Sequence, residues 1–275
     1  MKTVIGGEHY LNYAPIYLYS LKKYYPDVDV KIYSWDAIPA NVAEALEFIE
    51  CEDCVEVKDY SDYPDTPNHI AASRWILGRD EFAGYRYGYI GDVDMIFMPP
   101  PPEILKYNQV HIDQIRACYS NKKRCHAIAD RLTGLHFFEV VKYFDAVEDK
   151  VEEYLEKIKD AEYNWSNATP QTDPPCDEEL LYRIVKESGL AILDNCDPWF
   201  RRCFGLHLEI ARIENPREKR KALLANEETL NAVIAFNELY STDATFQELL
   251  GMLSVDMQNE IDGLYEFING QDDIT

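Results

Sequence analysis

Strand and helix patterns alternate over the first hundred residues, which places the chain in the α/β class. Two further observations refine this. A β-rich run, Tyr85–Met98, is interrupted by Gly91-Asp92-Val93-Asp94 and stopped by Pro99–Pro102. Past residue 214 every apolar pattern becomes helical. The expectation is an α/β domain over 1–214 and a helical appendage over 215–275, with no internal repeat. At 275 residues and 47% hydrophobic content, the chain is long and apolar enough to bury one large core.

Thr3–Gly6 reads as the first strand, and Tyr13–Tyr25 as a helix with Ile16, Leu18, Tyr19, Leu21 and Tyr24 at helical spacing, closed by Pro26. Val28–Ser34 is the second strand, Ala40–Glu50 an amphipathic helix and Cys54–Val57 a short strand. After the Pro- and Asp-rich loop Ser61–Asn68, His69–Phe82 has helical character. Further on, Gln109–Ser120 predicts a strand, Asn121–His126 a basic loop, Leu132–Val141 a β segment and Phe144–Lys159 a charged, exposed helix. Asn164–Pro175 has the composition of a flexible active-site loop. Asp177–Ser188 is helical, with Leu180, Leu181, Ile184 and Val185 on one face, and Leu190–Leu193 reads as a strand. In the tail, Arg217–Tyr240, Thr245–Met252 and Ser254–Ile268 read as helices, and Gln271–Thr275 as loose.

With 50 acidic against 27 basic residues the formal net charge is -23. Such a surface repels nucleic acid and anionic lipid heads. A nucleotide diphosphate would need a divalent cation and a few basic groups to offset that field; solubility alone is the other reading of the excess. Lys2-Thr3-Val4-Ile5 has no leader character and no apolar run has membrane length, so a cytoplasmic protein without an integral membrane segment is expected. The sequons at Asn164 and Asn167 carry little meaning on that expectation. The seven cysteines are scattered; Cys51-Glu52-Asp53-Cys54 has CxxC spacing but lies in an acidic turn with no second pair to complete a zinc site.

Asp92 and Asp94, two apart on an extended strand, point to the same side. Their repulsion is relieved by a hard divalent cation, whose oxygen shell phosphate groups complete. The flanks Tyr87-Gly88-Tyr89-Ile90 and Met95-Ile96-Phe97 read as buried strand, where unpaired acids are costly. The alternative is a solvated strand end. His207, in Gly205-Leu206-His207-Leu208, is a candidate third ligand, since neutral imidazole binds Mn²⁺ or Mg²⁺ beside carboxylates. Arg201 and Arg202 suit either a diphosphate or a solvated turn.

Gly84–Pro100 resembles the signature strand of GT-A-fold glycosyltransferases, particularly the glycogenin-like and galactosyltransferase-like group. The resemblance covers roughly residues 2–213 and implies a Rossmann-like, mixed, mostly parallel sheet with flanking helices. It implies Gly6, Gly7 and Tyr13 as nucleotide-binding residues and Arg74 as a contact to the donor diphosphate. It further implies Thr133 and Gly134 as the acceptor segment, where Thr133 replaces a more usual residue. Asp177 and Glu178 match an acidic pair opening a helix, commonly Asp-Gln in relatives, and His207 matches a late metal ligand.

These parts imply a Mn²⁺- or Mg²⁺-dependent transfer of a sugar from a nucleotide-diphosphate donor, UDP by family precedent, to a hydroxyl of a glycan, lipid-linked or small-molecule acceptor. Asp177 or Glu178 would be the base of an inverting enzyme; a retaining one, to which the group inclines, would leave Asp177 to orient the sugar. Rival readings are a GT-A-shaped binding or scaffold protein and a phosphohydrolase, which wants its acidic motif on the first strand. A nucleotidyltransferase lacks its Gly-rich, Lys-containing loop here.

Overall fold

The computed structural model describes residues 1–99, 103–124, 129–165, 176–192, 205–208 and 227–269. Among these the strands are β1 (Lys2–Ile5), β2 (Lys31–Ser34), β3 (Val55–Val57), β4 (Tyr87–Ile90), β5 (Met95–Phe97), β6 (Tyr119–Ser120), β7 (His136–Glu139) and β8 (Gly205–His207). The main sheet has the order β3-β2-β1-β4-β7-β6, and β5 pairs with β8 in a separate ribbon. Strands β3, β2, β1 and β4 run parallel, while β7 is antiparallel to both β4 and β6. This is an α/β arrangement, as the strand–helix alternation predicts, with the mixed, mostly parallel sheet that the resemblance implies.

Period-two alternation divides the interior. Ile5, Ile32, Tyr89 and Phe137 join a core with α1 (Glu8–Tyr24) and α2 (Ala40–Phe48). Their strand neighbours Val4, Tyr33, Ile90 and Phe138 join a second core with α5 (Val140–Lys157) and α6 (Asp177–Glu187). A sheet covered on both faces explains why its strands read as nearly continuous apolar runs.

Several elements differ from the sequence expectation. Helix α1 begins at Glu8 and carries Pro15 in its interior, where the proline removes a backbone donor. Full burial of Leu11, Ala14, Ile16 and Tyr17 outweighs that loss. The expected helix over 69–82 is α3 (Pro67–Ser73), capped by Thr66, followed by 3-10 turns at Arg74–Ile76 and Arg79–Phe82. The expected strand Gln109–Ser120 is instead α4 (Ile104–Ile115), with only Tyr119–Ser120 extended. Its buried residues Ile104, Asn108 and Ile112 recur every four positions, a helical period outvoting β-prone composition. No strand forms over the described part of Leu190–Leu193. Helix α5 is charged but not wholly exposed: Tyr143, Phe144, Val147, Val151 and Tyr154 are buried.

In the tail, α7 (Glu227–Thr242), α8 (Ala244–Met252) and α9 (Val255–Asn269) cover the α1 side. Phe236, Leu249, Met257, Ile261 and Leu264 share one core with Leu11, Tyr17 and Leu18. Polar ties support the packing: Tyr19 and Lys23 contact Asp243, and the Ser254 N–H donates to Asn12 Oδ1 at 3.2 Å. The boundary expected near Glu214, the loose end and most of the expected loop Asn164–Pro175 lie outside the described residues. Among the described residues no helix is long and apolar enough to cross a membrane.

Candidate active site

The sheet order reverses direction between β1 and β4, and ligands of open α/β sheets bind outside the carboxyl ends at such a switch point. Lys2 of β1 pairs with Ile90 of β4, and Thr3 Oγ1 donates to the Gly91 carbonyl at 2.7 Å. Asp92–Asp94 therefore run alongside the end of β1, beside Gly6 and Gly7. The pair sits in a bend between β4 and β5, at the Gly91–Asp94 interruption of the expected β-rich run. The bend lets the chain leave the main sheet and pair with β8.

That pairing brings His207 to the site. Met95 lies opposite His207 in the ribbon, and the Leu208 N–H donates to the Asp94 carbonyl at 2.8 Å. His207 Nε2 is 3.5 Å from Asp94 Oδ1 and 3.8 Å from Asp92 Oδ2. Gly205 is needed for this approach, because a Cβ there would lie 2.2 Å from the Ile96 carbonyl oxygen.

Where helix α3 gives way to the Arg74–Ile76 turn, Arg74 points into the cluster. Its Nη1 donates to Asp92 Oδ1, and its Nη2 to Asp177 Oδ2 at 2.6 Å. Trp75 Nε1 donates to the same Asp177 oxygen at 2.8 Å. Burial opposes the charge on Arg74, but Asp177 and Asp92 outweigh it and hold the guanidinium ionised. Burial likewise opposes ionisation of Asp92, yet Arg74 and then His207 hold its carboxyl well below the usual range. Arg74 thus pairs with two of the three carboxylates, Asp92 and Asp177, while His207 lies beside Asp92 and Asp94. Carboxylates and an imidazole gathered in this way suit a hard divalent cation.

Gly134 closes the other side. A Cβ on it would sit 2.6 Å from Asp92 Oδ2, so only glycine lets this segment reach the carboxylate. The adjacent Thr133 is held by Asn121, whose Oδ1 accepts from the Thr133 N–H at 3.1 Å and hydroxyl at 2.6 Å. Asn121 in turn reaches buried His136 Nδ1 at 3.1 Å. Next to Asp177, Glu178 is buried and accepts from Arg124 Nη2 at 2.6 Å. Burial pushes its carboxyl up to about 7, with Arg124 pulling in the opposite sense.

The structure thus gathers Asp92, Asp94, Arg74, Gly134, Asp177 and His207, with Thr133 and Glu178 adjoining. Gly6 packs against Ile70 and Trp35, and the Gly7 N–H donates to Asp36 Oδ2 at 2.6 Å at the start of α1. Tyr13 is fully buried, and its hydroxyl donates to Glu260 Oε1 in the tail at 2.7 Å. Arg201 and Arg202 lie outside the described residues. Sequence reasoning missed Trp75, Asn121, Arg124 and Asp36. Only the basic character of the loop holding Arg124 gave a signal.

As ligands, Asp92, Asp94 and His207 offer a hard oxygen and imidazole set suited to Mn²⁺ or Mg²⁺. Adjacent ligand atoms around such an ion lie about 3 Å apart, close to the observed separations. Among the described residues no three acidic, histidine or cysteine groups yet converge on one point as a finished metal cage. Two phosphate oxygens would have to complete the shell.

No family model matches the chain, and no curated protein matches it. Two solved structures are similar to it at 13% identity. One is the galactosyltransferase LgtC in complex with donor and acceptor sugar analogues, matched over 67% of this chain and 70% of that one with a TM-score of 0.37. The other is an active-site mutant of LgtC, matched over 94% and 100% with a TM-score of 0.43.

Proposed function

We propose that the protein is a metal-dependent glycosyltransferase that moves a sugar from a nucleotide-diphosphate donor to an acceptor hydroxyl. The observation that carries this reading is the grouping of Asp92, Asp94 and His207 beside the Arg74–Asp177 pair at the topological switch point. A divalent cation would suit that oxygen and imidazole set and would offset the charge of a nucleotide diphosphate.

Asp94 and His207, assisted by Asp92, would hold Mn²⁺ or Mg²⁺. When bound, the ion supplies charge stabilisation for the departing nucleotide diphosphate. Arg74 locks Asp92 and Asp177 in fixed orientations, so that neither reorganises as charge moves. Asp177 orients the donor sugar, and the Thr133-Gly134 segment borders the space for the acceptor. UDP as the nucleotide and retention of configuration are the finer parts of the reading, supported by the sequence resemblance. One observation favours inversion instead: a buried Glu178 carboxyl that titrates near neutrality is suited to take the acceptor proton.

The test is thermal stabilisation by UDP, GDP and their sugars, with and without Mn²⁺. A shift requiring both nucleotide and metal supports the donor site and names the base; no shift with any pair overturns the reading. The anomeric configuration of the product, read by NMR, then decides between retention and inversion.

A further inference from the structure

Far from the acidic cluster, Cys51 and Cys54 face a cavity of about 450 Å³ that Lys22, Lys31 and Tyr25 also line. They flank the 3-10 turn Glu52–Cys54 between α2 and β3, and the Cys54 N–H donates to the Cys51 carbonyl at 2.9 Å. A turn closed by that hydrogen bond keeps the two Cα atoms within about 7 Å, the range a disulfide spans. Cys51 is buried and Cys54 is partly open to solvent.

Two lysines are fixed beside the turn. Lys22 Nζ donates to the Ile49 carbonyl at 2.8 Å, and Lys31 Nζ to the Asp53 carbonyl at 3.0 Å. The neighbouring Cys51 holds the Cys54 thiol below its ordinary value against burial, with Lys31 adding to the effect, whereas burial raises Cys118 and Cys176. Among the described residues no third acidic, histidine or sulfur group joins the pair to make a metal site.

The geometry points to Cys51 and Cys54 as a dithiol site that reacts with small, anionic disulfides of the glutathione type, Cys54 attacking and Cys51 resolving. The Cys54 thiolate attacks one sulfur of the incoming disulfide, whose other half leaves as a thiolate. The Cys51 proton passes to that thiolate, and the Cys51 sulfur then displaces the second half from Cys54. The protein is oxidised by two electrons and loses two hydrogens; the small disulfide is reduced to two thiols.

The probe is glutathione disulfide, added to the reduced full-length protein at neutral pH and followed by alkylation and peptide mapping. The tryptic peptide Ile32–Lys58 contains no other cysteine. Wild type is expected to yield this peptide lacking two hydrogens and unalkylated. Cys51→Ser should retain glutathione on Cys54, and Cys54→Ser should react at least about tenfold more slowly. A wild-type peptide that stays doubly alkylated overturns the proposal, as does one that carries glutathione without closing. Equal rates for the two serine variants, or reaction only in denaturant, also overturn it. None of these readouts depends on a sugar donor, so this proposal and the glycosyltransferase reading fail separately.

Discussion

The molecule carries two charged clusters built from similar parts, and they differ in how their charge is balanced. Around Arg74, one guanidinium faces Asp92, Asp94 and Asp177 in a nearly closed environment. Around Glu81, Lys2 and Lys58 share one carboxylate at 3.4 and 2.5 Å, and the Tyr33 hydroxyl donates to it as well. Glu81 keeps about a quarter of its side chain in water. Burial opposes its charge, but Lys58 and Tyr33 hold its carboxyl below the ordinary value. In that second cluster two ammonium groups and a hydroxyl share one carboxylate, and solvent screens the remaining charge. In the first, carboxylates outnumber the guanidinium and lie at the switch point beside His207, which is what sets it apart.

The largest expected effect tests the first cluster directly. Asp94→Ala should lower turnover about a thousandfold while leaving the far-UV spectrum and cooperative melting intact, since the residue is there for ligand charge and not for packing. An active Asp94→Ala enzyme would remove the metal site from the reading.

Arg74→Met leaves Asp92 and Asp177 buried without their partner. The expected loss is about 3–5 kcal/mol in denaturant unfolding, together with activity. Lys58→Met, in the cluster where Lys2 still pairs with Glu81, should cost less than about 1 kcal/mol. If the two losses prove equal, the contrast between the clusters collapses.

Between these in size stands Glu178. Its folded carboxyl titrates at about 7 against an ordinary 4.5, so the folded state holds the proton more tightly than the unfolded one. Its stabilising contribution is fully present at pH values below the ordinary carboxylate range and is lost as pH rises through about 7. Over that window the stability of Glu178→Gln should rise relative to wild type by about 3 kcal/mol. Urea unfolding at a series of pH values reads this slope; parallel curves for the two proteins would refute it.

Much of this was legible in the residues. Alternating strand and helix patterns gave the sheet class, and acids inside an apolar run marked the switch point before any strand order was known. His207 is singled out by the resemblance, which implies a late histidine ligand, and pairing of β5 with β8 carries it back to Asp94. Other features depended on long-range contacts that local pattern does not encode. Val110 and Ile115 favour strand by composition, yet α4 follows the four-residue spacing of its buried face. Tyr13 looked like a site residue because it follows the glycine turn; its partner, Glu260, is 247 positions away. The role of Asn121 in holding Thr133 exists only once β6 and β7 are paired.

The ties between α1 and the tail bear on how the protein is made. Leu11, Tyr17 and Leu18 share their core with Ile261 and Leu264, residues that leave the ribosome only after most of the chain has been synthesised. At ordinary elongation rates the first helix waits for its cover for on the order of ten seconds or more. During that interval its apolar face is open to a chaperone or to a neighbouring nascent chain.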